Sequence, residues 1–227
     1  MDYSIDERLN KLVDHYSIFT RRFEDHLIQQ IVFGNGLALA RIEISPEEVF
    51  ELTLSVVDDE CKEGELAIRL HRPKEAELAI IRFSLLPDEN GIKLYVAAIQ
   101  GPKGIGSKEK VKNACKAFSG LSPNRLVLES CLALANYLQV GQLLVVSDKQ
   151  QVFKNKHNKH FSYDVFCSEL GGEINQNGDY LLPLFIARKK RKDTPCKRRA
   201  KYQRQHALLD AVYKDTWLMG VLPVLKA

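Results

Sequence analysis

The sequence predicts an α/β (α+β) fold on a mixed sheet, with an antiparallel meander followed by a βαβ unit. Three observations predict it. Apolar residues recur at three- and four-residue steps from Ile5 to Ile31, the period of a helix with one buried face. Between Leu37 and Ile99 the period falls to two, with turn residues between the runs, as in strands joined by short connections. Tyr95-Val96-Ala97-Ala98-Ile99 and Leu143-Leu144-Val145-Val146 are apolar on both faces, as central strands are, and helical segments separate the two.

In chain order, a helix is expected to start near Asp6 and to stop at Gly34-Asn35-Gly36, with a break near Thr20-Arg21. About four antiparallel strands follow. Their apolar faces are Phe50-Leu52-Leu54-Val56, Leu66-Ile68-Leu70, Leu78-Ile80 leading to Phe83 and Leu85, and Ile92-Leu94-Val96. Asp58-Asp59, Gly64, Arg72-Pro73 and Pro87-Asp88-Glu89-Asn90-Gly91 mark the turns. Asn-Gly tolerates the positive φ angles of a tight hairpin. A glycine-rich loop over 100–106 leads to a helix over 108–118, with Ser107 in position to cap it. Ser122 is placed to cap the next helix, with Pro123 at its first position. Leu126, Leu128, Cys131, Leu132, Leu134, Ala135, Tyr137 and Leu138 leave that helix apolar nearly all round, so it is buried. After the strand at 143–146 come a short helix over 163–170, a last strand over 179–184 and a C-terminal helix from near Thr194-Pro195. No repeat or Pro/Ser-rich linker divides the sequence, so residues 1–227 are expected to form a single domain.

The composition, 45% apolar and 27% charged, is that of a globular chain. No run of 18 apolar residues is present, so no membrane span is expected. The first residues are acidic and lack the basic start and apolar run of a secretory signal, so a cytoplasmic protein is expected. Five cysteines, odd in number and without a C-x-x-C pair, read as free thiols in a reducing compartment. His157 and His160 share a polar segment without Cys or carboxylate at ligand spacing, so no metal site is expected.

Charge is unevenly spread. Between Ala187 and Arg204 lie ten Lys or Arg and one acid, Asp193, so the segment carries +9 within a chain of net charge +4. Such a run reads either as a solvated cap on an acidic body or as a surface for phosphates. In the second reading Lys197, Arg198, Lys201 and Arg204 bind anionic lipid as part of a non-catalytic regulatory module, since Arg198, Lys201 and Arg204 can share one helical face. Nucleic acid is the less favoured ligand, because only Tyr202 interleaves as an aromatic and no nucleic-acid motif is present. The tail beyond, with Trp217, Leu218, Val221, Leu222, Val224 and Leu225, is apolar. Core packing accounts for it. A membrane-surface helix is the alternative, against which Gly220 and Pro223 interrupt the segment.

Several stretches resemble the VirK/YbjX family of bacteria. They are Gly64-Glu65-Leu66, then Leu94-Tyr95-Val96-Ala97-Ala98-Ile99-Gln100-Gly101, and Ala117-Phe118-Ser119-Gly120-Leu121-Ser122-Pro123. Further on, Tyr163-Asp164 is followed by Glu169-Leu170-Gly171-Gly172, and Lys197-Arg198-Arg199-Ala200-Lys201-Tyr202 by Ala207-Leu208-Leu209-Asp210. The resemblance implies a Gram-negative bacterial protein of stress and virulence phenotypes, including tolerance of antimicrobial peptides through the envelope. It implies no known catalytic residue. The chain departs from the family at Ser119, Ser122 and Asn124, where the family favours histidine and basic residues.

The order of elements is also similar to that of GCN5-related acyltransferases. That resemblance implies an acyl-CoA cofactor whose pyrophosphate lies on the loop amides and the following helix start. Gln100, Gly101, Lys103, Gly104, Gly106 and Ser107 then form the cofactor site, with Lys108 and Lys110 adding charge. A helix start carries about half a positive charge and unpaired donors. The loop is one residue longer than that family's pattern, and an ordinary strand-to-helix turn explains the same glycines. An acyltransferase also needs a general base to activate its acceptor, here a small molecule or an envelope component. Glu129 is the catalytic candidate, because an unpaired carboxylate on a buried helix is costly and has a raised pKa. Pairing with a basic side chain is its structural alternative. Tyr163, Asp164 and His206 are further candidates.

Overall fold

The computed structural model describes residues 4–57, 63–89, 91–151, 161–188 and 194–221. The elements are α1 (Ile5–Arg22), α2 (Asp25–Phe33), β1 (Leu37–Ser45), β2 (Glu48–Val56), β3 (Leu66–His71), β4 (Ala79–Asp88), β5 (Gly91–Gln100), α3 (Ser107–Ala117), α4 (Pro123–Tyr137), β6 (Gln142–Val145), α5 (Tyr163–Glu169), β7 (Glu173–Ile174), β8 (Tyr180–Leu182) and α6 (Arg199–Val221). All the strands join one mixed sheet in the order β1-β2-β3-β4-β5-β6-β8-β7. From β1 to β5 every pairing is antiparallel. β6 then pairs parallel to β5, from Lys93↔Gln142 to Val96↔Val145, with α3 and α4 in the connection. The mixed α/β reading therefore holds, with five antiparallel strands where four were expected.

β1 escapes the sequence pattern for a local reason. A register shift between Ala38 and Ala40 breaks its alternation, so Leu37, Leu39, Ala40 and Ile42 are all buried. β7 is two exposed residues long and leaves no period to read. Ser4 caps α1: its hydroxyl accepts from the Glu7 N–H and the Glu7 carboxylate accepts from the Ser4 N–H, a reciprocal capping box. The break between α1 and α2 falls at Phe23 and Glu24, both extended, which seats the Phe23 ring 5.0 Å from Phe19 in the core. Ser107 is the first residue of α3 rather than its cap. Gly106 stands at the cap with φ 79, and no side chain caps the helix. Ser122 caps α4 as expected, its hydroxyl accepting from the Arg125 N–H at 3.3 Å.

Alternate residues of β2 to β5 (Phe50, Leu52, Leu54, Leu66, Ile68, Leu70, Phe83, Leu85, Leu94, Val96) are buried in one core with α4. α4 lies across β3, β4 and β5, and α6 packs on α4 and β1. α6 runs through Gly220 to Val221, and Trp217 and Leu218 stay half-exposed on it. This corrects the expectation that they enter the core: α6 buries Gln205, Leu209, Val212 and Thr216 instead. Pro223, Leu222, Val224 and Leu225 lie outside the described residues, as do Cys61, Asn90, His157 and His160. Cys115, Cys131, Cys167 and Cys196 are free thiols. Burial pushes the Cys131 thiol up strongly and the Cys167 thiol up to about 12.

β4 outruns β3. Their pairing ends at Leu66↔Phe83, while β4 continues to Asp88. α1 covers this bare stretch, and the imidazole Nδ1 of fully buried His15 accepts the Leu85 N–H at 2.9 Å. Gly64 turns the chain into β3 with φ +77, and a Cβ there would lie 2.8 Å from the Phe83 nitrogen. Gly64→Ala is expected to lose about 3 kcal/mol in urea unfolding, combining left-handed strain with a forced shift of β4. Gly104→Ala, also at positive φ but with nothing within 4 Å, should lose only about 1 kcal/mol.

Candidate functional site

β5 delivers its C-terminal end, the bend at 101–106 and the start of α3 to one end of the sheet. The bend is open. Gly104, Ile105 and Gly106 are exposed, and no atom lies within 4 Å of where a Cβ on Gly101, Gly104 or Gly106 would stand. Lys103, Lys108 and Lys110 are exposed around it, and Ser107 is half-buried. With no side-chain cap on α3, the first-turn amides carry the partial positive charge of a helix start.

Gln100 does not face an empty cleft. Its carboxamide nitrogen donates to the Glu63 carboxylate at 3.2 Å, and its oxygen accepts from Arg82 Nη1 at 3.1 Å. Glu63 and Arg82 are both buried, so Gln100 bridges a carboxylate and a guanidinium in a low-dielectric interior. One residue earlier, the Tyr163 hydroxyl accepts the Ile99 N–H at 2.8 Å and donates to the Ile99 carbonyl at 3.0 Å. Burial pushes that phenol up to about 12. β5 and β6 stop pairing after Val96 and Val145, and the side chain of Tyr163 takes the β5 edge beyond. The α5 start is tied to the β6 end: Ser162 Oγ donates to Asp148 at 2.7 Å, and the Asp148 N–H donates to Asp164 at 2.9 Å.

Glu129 lies far from the bend in its contacts. It is buried on α4, and both its oxygens are engaged. Arg188 reaches them at 2.5 and 3.3 Å, and Arg125 Nη2 lies 3.0 Å from Oε2. Arg188 also holds Asp210 of α6 at 3.1 Å. A carboxylate held by two guanidinium groups has its lone pairs taken up by charge-assisted hydrogen bonds. The arrangement is an ion cluster joining α4, α6 and the segment that follows β8, which answers to the structural alternative for this residue. Tyr163 and Asp164 are occupied as described, and His206 is half-buried beside Tyr202.

Two basic segments meet at a turn that the sequence did not join. Gln205 of α6 donates to the Ser119 carbonyl at 2.9 Å, and a Cβ on Gly120 would lie 2.6 Å from Lys201 Nζ. The start of α6 therefore rests on the turn that ends α3. Lys103, Lys108, Lys110, Lys112 and Lys116 belong to the bend and α3, Lys197 and Arg198 to the turn before α6, Lys201 and Arg204 to the start of α6, and all are exposed. Glu109, 3.8 Å from Lys112, is the one acid among the α3 residues. Residues 189–193 of the basic run lie outside the described residues. Arg82, Glu63 and Asp148 were also missed by sequence reasoning. The signal for Arg82 was an arginine inside the apolar run Ala79-Ile80-Ile81-Arg82-Phe83.

The chain matches the family described as "Protein of unknown function (DUF535)" over residues 1–216. It is 31% identical over 210 residues to the uncharacterized protein YbjX of Escherichia coli (strain K12), covering 90% of this chain and 64% of that one. An uncharacterized protein of Haemophilus influenzae is 33% identical over 176 residues, 76% of this chain and 57% of that one. A Mannheimia haemolytica protein named "Membrane protein LapB" is 32% identical over 154 residues, 66% of this chain and 62% of that one. The chain thus spans between 57% and 64% of the length of these relatives. With nearly its full length matched, and with YbjX among its relatives as the glycine and aromatic motifs implied, the chain belongs to the DUF535 family.

Proposed function

We propose that this protein binds phosphate-bearing polyanions on the basic face made by the bend, α3 and the start of α6, and that it serves stress and antimicrobial-peptide tolerance at the cell envelope. The observation that carries the reading is the docking of α6 on the α3–α4 turn through Gln205 and Lys201. It brings the start of α6, with Lys201 and Arg204, against the C-terminal end of α3, with Lys116, where their potentials add. The name of the Mannheimia haemolytica relative as a membrane protein supports the envelope setting. No helix among the described residues is long and apolar enough to cross a membrane. The contact in this reading is a peripheral one, made from the cytoplasm.

Calorimetry with long-chain polyphosphate tests this. Affinity is expected to fall by orders of magnitude between about 0.05 and about 0.2 M salt, as released counterions require. Lys201→Glu with Arg204→Glu should weaken binding about thirtyfold or more at the lower salt, from roughly 1 kcal/mol per cation. Salt-independent binding, or no effect of the charge reversals, would remove the proposal.

A GCN5-related arrangement with acyl-CoA at Gln100, Gly101, Lys103, Gly104, Gly106 and Ser107 is the second reading. The open glycine bend favours it. The Gln100 side chain and the Ile99 backbone are already bonded to neighbours, and Glu129 is held by Arg125 and Arg188, so the reading rests on the loop amides alone. Binding of acyl-CoA in preference to polyphosphate, undiminished by the α6 charge reversals, would favour it over the first.

A further inference from the structure

We infer that the partner of the basic face is an anionic phospholipid bilayer, and that Ile105 is the side chain inserted into it. The inference rests on the polyanion reading above and names its ligand. Ile105 is fully exposed, with a relative accessibility of 105%. Gly104 at φ +87 and Gly106 at φ +79 flank it, and among the described residues a Cβ added at either would meet nothing within 4 Å beyond its chain neighbours, so it stands at an open turn. Loop tips ordinarily carry residues that water solvates or that fix the turn. An aliphatic side chain here contributes nothing to the fold, and its apolar area gains free energy only when something apolar receives it.

The surroundings identify the receiver. Lys103 and Lys108 bracket the tip, and Lys110 follows on α3. The uncapped α3 start adds its own positive end at the same place. A bilayer of acidic lipids meets both requirements at the depths where they occur. Its phosphates lie level with the lysines, and its acyl boundary lies just below, where a short apolar tip reaches. A nucleic acid or polyphosphate satisfies the charges and offers no hydrocarbon layer to the isoleucine.

The test uses the full chain with two probes, vesicles of phosphatidylglycerol and phosphatidylcholine, and soluble polyphosphate. Ile105→Ser is expected to weaken vesicle binding about tenfold, the worth of partly burying one isoleucine, and to leave polyphosphate binding unchanged. Ile105→Trp, placed in a Trp217→Phe background, should show blue-shifted emission on adding vesicles and no shift on adding polyphosphate. Equal vesicle affinity of the native chain and Ile105→Ser, with no shift from the introduced indole, overturns the inference and leaves the polyanion reading standing. A short DNA duplex that binds more tightly than the vesicles, independent of Ile105, also overturns it. Loss of neither probe on Lys201→Glu with Arg204→Glu removes the underlying reading instead.

Discussion

Glu129→Ala is expected to lower stability by about 3–5 kcal/mol, the cost of breaking a buried ion pair by removing one partner. The carboxylate is buried between Arg125 and Arg188. Removing it leaves two guanidinium groups facing each other, with only the exposed Asp210 still on Arg188. Burial already lowers the Arg125 pKa, and the neighbouring Arg188 acts in the same direction against the pull of Glu129. The penalty is that of stranding charge in a poorly solvated place. Replacing all three groups, Arg125→Met, Glu129→Leu and Arg188→Met, should therefore cost less than the single change, because the only charge left without its partner is the exposed Asp210. Urea unfolding followed by circular dichroism compares the two variants. If Glu129→Ala unfolds within about 1 kcal/mol of the native chain, the cluster is not the pairing described.

Acid is expected to destabilise the fold through His15. The imidazole is fully buried against Phe19 and accepts the Leu85 N–H, and its Nε2 has no hydrogen-bond partner among the described residues. Burial lowers its pKa from 6.5 to about 4. A proton on Nδ1 would also set two donors against each other. Between those two values the unfolded chain binds the proton and the folded chain does not, so stability falls as pH drops from 6.5 towards 4 and is constant in this group outside that window. The loss is about 3 kcal/mol, from about 1.4 kcal/mol per pH unit. His15→Gln keeps an acceptor for Leu85 without a titrating ring. The difference in unfolding free energy between it and the native chain should carry this pH dependence, while carboxylates common to both cancel. A difference that stays flat from about pH 7 to about pH 4 would contradict the assignment.

These two residues show what the sequence could and could not disclose. His15 sits in a helical apolar stripe that begins Ile5, Leu9, Leu12, Val13 and Tyr16. Periodicity assigned the helix correctly. It did not reveal that Ile5, Leu9 and Val13 stay exposed while the histidine is buried, because that depends on β4 extending past β3. Glu129 was legible as an anomaly on a helix that is apolar nearly all round. Its partner Arg125 stands four residues before it on the same helix, within reach of a local pattern, but its partner Arg188 lies 59 residues away, beyond any such pattern. The β5-to-β6 parallel pair was legible because both strands are apolar on two faces, and the bend because glycine leaves few other uses for itself there. The shared basic surface was not, since the contact of Lys201 with Gly120 and of Gln205 with Ser119 is set by how α6 settles on α4.

The bonds of Tyr163 to both main-chain groups of Ile99 have a consequence for assembly. Where a sheet has unpaired main-chain groups along its margin, a foreign extended segment can add to it and seed aggregation. Here a phenol stands in for one residue of an absent neighbour. A recruiting peptide would first have to evict a packed aromatic from the interior, so this gap in the sheet is closed to growth without a further strand.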